Sequence, residues 1–237
     1  MSPEILTCIE LETGAHPTAA VVWLHGLGAD GNDFVPIVEE LPLPAGLEIR
    51  FVFPHAPVRP VTINGGFPMR AWYDITGVDL TSRADLAGVR TSEAQVLALV
   101  EREVARGVPA SRIVVAGFSQ GGVIALHTAL RYPERLAGIV ALSTYLVRPE
   151  ELAAEASPAN RDVPIFMAHG TADPMIRLEW GEASRRVLEA AGYRVEWHTY
   201  PMPHSVVWEE IEAISALRLS PSKKVTWPHL SQSSRCW

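Results

Sequence analysis

Five short apolar runs, each ending in turn residues, leave this chain few folds to choose from. They are AAVVWLHG, LEIRFVFPHA, RIVVAGFS, LAGIVALS and VPIFMAHG, and runs without polar alternation are the mark of strands buried on both faces. Helical segments alternate with them. ADLAGVRTSEAQVLALVEREVARG sets Leu86, Val89, Val96, Val100 and Val104 near a 3.6-residue period and stops at Gly107. SQGGVIALHTALRY, LEWGEASRRVLEAAG and HSVVWEEIEAISAL read the same way. A sixth strand, YRVEWHTYP, alternates Val195, Trp197 and Thr199 against Arg194, Glu196 and His198, the pattern of a half-exposed edge. The alternation predicts an α/β chain with a mostly parallel twisted sheet and helices on both faces. In such sheets ligands gather beyond the carboxyl ends of the strands, so the residues just after each run are the ones to weigh.

After RIVVA comes Gly117-Phe118-Ser119-Gln120-Gly121, a G-x-S-x-G match set between a strand and a helix. So sharp a turn holds the serine in a strained backbone conformation, leaves no room for side chains on either flank and projects Oγ clear of the sheet. The helix starts at once, so its unpaired N–H groups and positive dipole end face any negative charge that develops beside the serine. A serine alone is a poor nucleophile; it needs a base that is itself held by a carboxylate. In the chain order Ser, Asp or Glu, His, Asp173 follows VPIFMAHG at the productive edge of the sheet, whereas Asp162 precedes that strand. Of the later histidines, His198 lies on the polar side of a strand and His229 in a polar tail. His204, in YPMPHSVVW, sits between the last strand and the last helix. The expected triad is Ser119, Asp173 and His204.

An acyl-transfer oxyanion needs at least two donors. One is the backbone N–H of Gln120, directly after the nucleophile. The other is expected in the glycine-rich loop HGLGADGNDF, from the N–H of Leu27 between Gly26 and Gly28. That loop also spells G-x-G-x-x-G over Gly26–Gly31, the dinucleotide fingerprint, which demands an acidic residue at the end of the next strand. The next strand ends FVFPHAP, with no acid, and the oxyanion reading is preferred. Asp30-Gly31-Asn32-Asp33 resembles part of a calcium loop but lacks the later glutamate; Asn32 or Asp33 is more simply a helix N-cap. His25 and His169 close strands just before glycine and are expected to hydrogen-bond their loops from within the core.

The bulk composition narrows the partners. A net charge of -7 argues against nucleic acid or anionic lipid as main partners. No stretch of about 18 apolar residues suggests a spanning helix, and MSPEILTCIELETG lacks the basic and apolar regions of a signal peptide. Cys8 and Cys236 are the only cysteines; they fit free thiols in a reducing compartment, and a cytoplasmic location is expected.

HGLGADGNDF, RAWYDI, GFSQGG, HGTADPMI and MPHS resemble, in order, the signature stretches of the bacterial carboxylesterase and acyl-protein thioesterase (phospholipase/carboxylesterase) family, from about Thr18 to about Ala216. The resemblance implies an α/β-hydrolase fold without a large cap domain. It implies hydrolysis of carboxylic esters with short- to medium-chain acyl groups, or of thioesters, with no cofactor and no metal. The family's triad falls on Ser119, Asp173 and His204 and its oxyanion donors on Leu27 and Gln120. Its tryptophan beside the catalytic serine falls on Trp72.

RAWYDI lies in a long loop between FVFPHAP and the helix starting near Ala84, whose Phe67, Met69, Trp72, Tyr73 and Ile75 give it apolar surface enough to wall a substrate site. Trp72 and Tyr73, with Leu146 and Val147 of STYLVRPEEL, are the expected substrate-binding residues. The expected partner is a small-molecule ester or acyl-thioester, with no nucleic acid and no integral membrane association; the sequence leaves a homodimer open. Residues 1–217 read as one hydrolase domain and 218–237 as an atypical, disordered tail, where LRLSPSKKVTWPHLSQSSRCW departs from the family's pattern. The competing readings are a hydrolase-fold binding protein without catalysis, and a peptidase or lactone hydrolase on the same fold.

Overall fold

The computed structural model describes residues 5–41, 43, 46–77 and 85–215. In chain order the strands are β1 (Cys8–Glu12), β2 (Ala19–Leu24), β3 (Ile49–Pro54), β4 (Val58–Val61), β5 (Phe67–Arg70), β6 (Ile113–Phe118), β7 (Gly138–Leu142), β8 (Ile165–Gly170) and β9 (Val195–Tyr200). The helices are α1 (Ile37–Glu40), α2 (Leu86–Ala105), α3 (Gln120–Arg131), α4 (Leu152–Glu155), α5 (Leu178–Ala190) and α6 (Trp208–Ser215). Seven strands form one sheet in the order β1-β3-β2-β6-β7-β8-β9. Within it only β1 runs antiparallel to its neighbour; the remaining strands are parallel. The alternation of runs and helices predicts such a mostly parallel sheet, and the architecture is the α/β-hydrolase fold that the resemblance implies.

Strand alternation divides the interior into two layers. Ala20, Val22, Leu24, Ile113 and Val115 face α2, α3 and α5 on one side of the sheet. Ala19, Val21, Trp23, Val114 and Ala116 face α1 and α6 on the other. Because side chains on successive strand residues point to opposite faces, a strand covered on both sides must be apolar at every position, which is why β2 and β6 read as unbroken runs. The one charge inside such a run, Arg50 of β3, is answered by Glu12 at 2.7 Å and by the buried Glu103 at 2.8 Å, as a buried cation requires. Helix α3 is buried from Gln120 through Leu130, the condition of a helix that is apolar all round.

Two segments differ from expectation. β1 pairs along the β3 edge, and the stretch before RAWYDI forms an antiparallel hairpin of β4 and β5 rather than an open loop. The N-cap expected at Asn32 or Asp33 is not there: α1 begins only at Ile37, with Pro36 at its cap position. Asp30 instead turns the loop, its Oδ1 accepting from the Asn32 backbone N–H at 2.8 Å. The expected tail, 218–237, with Trp227, His229, Cys236 and Trp237, lies outside the described residues.

The order β3-β2-β6 puts a topological switch point between β2 and β6, where the chain leaves toward opposite edges of the sheet. Leu24 pairs with Gly117 at that point, so the loop after β2 and the turn after β6 emerge side by side. A crevice at the carboxyl end of the sheet follows from the strand order alone.

Candidate active site

Ser119 sits at the β6–α3 turn with φ 54° and ψ -121°, a left-handed conformation that a non-glycine residue adopts at a cost of about 1–3 kcal/mol. The flanking glycines are required by contact. A Cβ on Gly117 would lie 2.4 Å from the Gly121 carbonyl, and one on Gly121 would lie 2.4 Å from the Leu24 oxygen. The turn is pinned by hydrogen bonds: Ser119 N–H donates to Leu142 O at 2.9 Å, and Thr144 Oγ1 donates to Ser119 O at 2.7 Å. The strain is therefore held from both the sheet and the loop after β7.

His204 Nε2 lies 2.9 Å from Ser119 Oγ, and its Nδ1 lies 2.7 Å from Asp173 Oδ2. Asp173 Oδ1 accepts from the backbone N–H groups of Met175 (2.8 Å) and Ile176 (2.9 Å). Burial alone would raise the Asp173 carboxyl, but the His204 hydrogen bond and the Ile176 and Met175 N–H groups outweigh it and hold the acid below its ordinary range. An ionised Asp173 accepts from Nδ1–H, which leaves the Nε2 lone pair facing the serine hydroxyl. Phe118 packs against the imidazole at a tilt of 39°, with 4.7 Å between ring centres. His198 stands apart, 3.0 Å from Glu196 on the β9 edge.

A cleft of roughly 770 Å³ opens above Ser119, and Gly26, Leu27, Gln120 and His204 all border it. Gln120 is the first residue of α3, so its N–H has no acceptor within the helix. Among the described residues, no backbone oxygen accepts from the N–H of Leu27. The two groups chosen as oxyanion donors thus border the same space as the serine hydroxyl.

The walls of the cleft are only partly the expected ones. Tyr73 lines it, but Trp72, Leu146 and Val147 do not. Trp72 is 0% exposed, and its Nε1–H donates to His25 O at 2.9 Å while its backbone N–H donates to Gln120 Oε1 at 2.8 Å. It ties the loop after β2 and the start of α3 to its own segment beneath the cleft. Leu146 and Val147 turn into the core, with the Leu146 N–H held by Ser184 Oγ at 2.8 Å. Their neighbour Tyr145 takes the wall position, its hydroxyl 3.0 Å from that of Tyr73. Ile75 lines the cleft as the apolar loop suggested, Met69 is half-buried, and Phe67 is 67% exposed on the hairpin.

The sequence reading missed Ile63, Ile176 and Trp180 on the cleft wall. It also missed the side chain of Gln120, whose Nε2 donates to Tyr73 O at 2.7 Å. Ile176 could have been found as the third residue after Asp173, in the turn that must fold back over the acid.

The two histidines that close strands hold the loops, as their positions suggested. His25 Nδ1 lies 2.7 Å from Gly26 O, and its Nε2 accepts from Ala56 N–H at 3.1 Å. Burial pushes the ring down to about 4, so it is neutral with its proton on Nδ1. His169 Nε2 meets Ile176 O at 2.8 Å. His127 is buried on α3, 3.4 Å from Glu93. Among the described residues no cluster of three or more His, Cys, Asp or Glu side chains could hold a metal ion, and no helix is long and apolar enough to cross a membrane.

Residues 7–217 match the phospholipase/carboxylesterase family. The chain is 43% identical over 210 residues to acyl-protein thioesterase 1 of Neurospora crassa, covering 84% of this chain and 85% of that protein. It is 38% identical over 223 residues to acyl-protein thioesterase 1 of Mycosarcoma maydis, covering 88% and 93%. The crystal structure of Zea mays acyl-protein thioesterase 2 superposes with a TM-score of 0.74 at 33% identity, covering 87% of this chain and 96% of that one. These relatives are fungal and plant proteins, so the bacterial qualifier attached to the resemblance is not supported, while the family itself is. By sequence over most of its length and by fold, the chain belongs to the phospholipase/carboxylesterase family.

Proposed function

We propose that Ser119, His204 and Asp173 carry out the chemistry of this family member, a serine hydrolase of carboxylic esters or thioesters. His204 takes the Ser119 proton as Oγ attacks the substrate carbonyl; Asp173 fixes the imidazole tautomer and stabilises the imidazolium. The N–H groups of Leu27 and Gln120 receive the oxyanion. His204 then protonates the departing oxygen or sulfur, and water cleaves the acyl-serine by the same two steps. The observation that carries this reading is one imidazole bridging a strained serine at 2.9 Å and an ionised, buried aspartate at 2.7 Å.

The acyl chain belongs in the large cleft, between Ile63, Tyr73, Ile75, Tyr145, Ile176 and Trp180. A volume near 770 Å³ supports short- to medium-chain acyl groups. The names of the fungal and plant relatives support an S-acylated substrate beside simple esters. Among the described residues Cys8 has no disulfide partner, and a chain with two cysteines in all supports a reducing, cytoplasmic setting.

The test is hydrolysis of p-nitrophenyl esters from acetate to palmitate, by the protein and by Ser119→Ala, with fluorophosphonate labelling alongside. Expected are a chain-length optimum, loss of turnover to background in the alanine variant, and labelling of the parent alone. A parent that is neither labelled nor active would turn the reading toward a binding protein that kept the cleft without the chemistry.

A further inference from the structure

Three residues, Asp33, Phe118 and His204, border the large cleft and also a second crevice of roughly 200 Å³. The second crevice lies between the segment around α1 and the start of α6. Its walls are aromatic and aliphatic, with Phe34, Ile37, Val206 and Trp208 beside the shared Phe118. Among the described residues, the carboxylates of Asp33 and Glu40 are its charged side chains, and no lysine or arginine lines it.

The chemistry assigns the two spaces to the two halves of a substrate. His204 Nε2 takes the proton from Ser119 Oγ and must hand it to the departing oxygen or sulfur as the carbonyl C–O or C–S bond breaks. The leaving atom therefore lies within hydrogen-bond reach of Nε2, and whatever it carries extends from the histidine. With the acyl chain in the large cleft, the second space that His204 and Phe118 border is the small crevice.

We propose that this crevice is the leaving-group subsite, and that Asp33 and Glu40 together with the aromatic side chains of Phe34, Phe118 and Trp208 favour esters and thioesters whose alcohol or thiol carries a small cation, of about the size of a quaternary ammonium group. The inference rests on the acyl-serine reading above. Aromatic faces beside carboxylates are the usual surroundings of a quaternary ammonium ion.

The experiment compares two thioesters with the same butyryl group, butyrylthiocholine and its neutral isostere, S-(3,3-dimethylbutyl) thiobutyrate, in the full-length protein and in the double variant Asp33→Asn/Glu40→Gln. Each substrate's intrinsic reactivity cancels when the ratio of kcat/KM values is compared between proteins. Exposed ion pairs of this kind contribute roughly 1.5- to 5-fold each, so the cationic-to-neutral ratio should fall about two- to twenty-five-fold in the variant. In the parent the same ratio should shrink as salt rises from 10 mM to 0.5 M, by Debye screening. Choline should compete with p-nitrophenyl butyrate better than 3,3-dimethylbutanol does, and Trp208→Leu should narrow that difference. Hydrolysis of both thioesters with a ratio that neither the variant nor salt changes overturns this inference alone. A parent that cleaves no ester or thioester at all overturns the acyl-serine reading and this one with it.

Discussion

Ser119 owes its geometry to residues that do no chemistry. Its positive φ is held by contacts in which Gly117 and Gly121 have no room for a single extra carbon. Replacing Gly121 by Ala would drive a Cβ against the Leu24 and His25 carbonyls, at 2.4 and 2.5 Å. The expected cost is about 1–3 kcal/mol of stability, read by denaturant unfolding, with loss of turnover because the Leu24–Gly26 backbone must move. Removing the nucleophile separates the two effects. Ser119→Ala should lower kcat by roughly 10⁴- to 10⁶-fold, and Asp173→Asn by about 10⁴-fold through the wrong imidazole tautomer, neither requiring the backbone to shift. Trp72→Phe keeps the buried ring but strands the His25 carbonyl, at about 1–3 kcal/mol. Since Trp72 borders no part of the cleft, that variant should lose stability and kcat without moving the chain-length optimum, whereas Ile75→Ala should move it. A shifted optimum in Trp72→Phe would place the indole against substrate after all.

Among the elements, legibility in the sequence follows burial. β2, β3, β6, β7 and β8 were readable because parallel strands covered on both faces have to be apolar throughout, and the residues after β2, β6, β8 and β9 then delivered Leu27, Ser119, Asp173 and His204. The edges were less readable. β1 carries Glu10 and Glu12 among its five residues, paired with arginines, and β4 and β5 carry Pro60 and Pro68, so neither announces a strand. The cleft walls failed by single residues: the pattern locates the loop but not which side chain turns outward. Trp72 went in where Tyr73 went to the wall, and Leu146 and Val147 went in beside Tyr145.

Helix α6 carries a feature that no motif marks. Glu210 is buried, and among the described residues neither carboxylate oxygen has a hydrogen-bond partner of good geometry. Burial pushes the acid from 4.5 up to about 8, and the Val207 N–H opposes this only in part. Between those two values the folded state holds a proton that the unfolded chain has released, so stability falls as pH rises through this window and levels off above about 8. The effect is on the order of a few kcal/mol. Glu210→Gln should flatten the dependence of denaturant midpoints on pH from 5 to 8 and stabilise the protein most at the alkaline end. An undiminished slope in that variant would assign it to other groups.

At the scale of the molecule, one sheet is shared by two apolar layers, and the site stands where the order β3-β2-β6 divides the chain. Every residue named in the cleft and the adjoining crevice lies between Gly26 and Ile211, and the family match ends at residue 217. We propose that residues 1–217 form the catalytic domain. The two layers meet through strands that each contribute side chains to both, so neither can lose its packing while the other keeps its own; a domain built this way unfolds as one unit. A chain ending at residue 217 should keep kcat/KM for p-nitrophenyl butyrate within about twofold and show one cooperative thermal transition, since one kcal/mol moves the midpoint of a domain of this size by only about 2–4 °C. Activity assays and calorimetry on the two chain lengths decide it. Loss of activity with an unchanged transition would mean that 218–237 reaches the cleft, whereas a fall of tens of degrees would mean that α6 needs residues 218–237 to stay packed against the sheet.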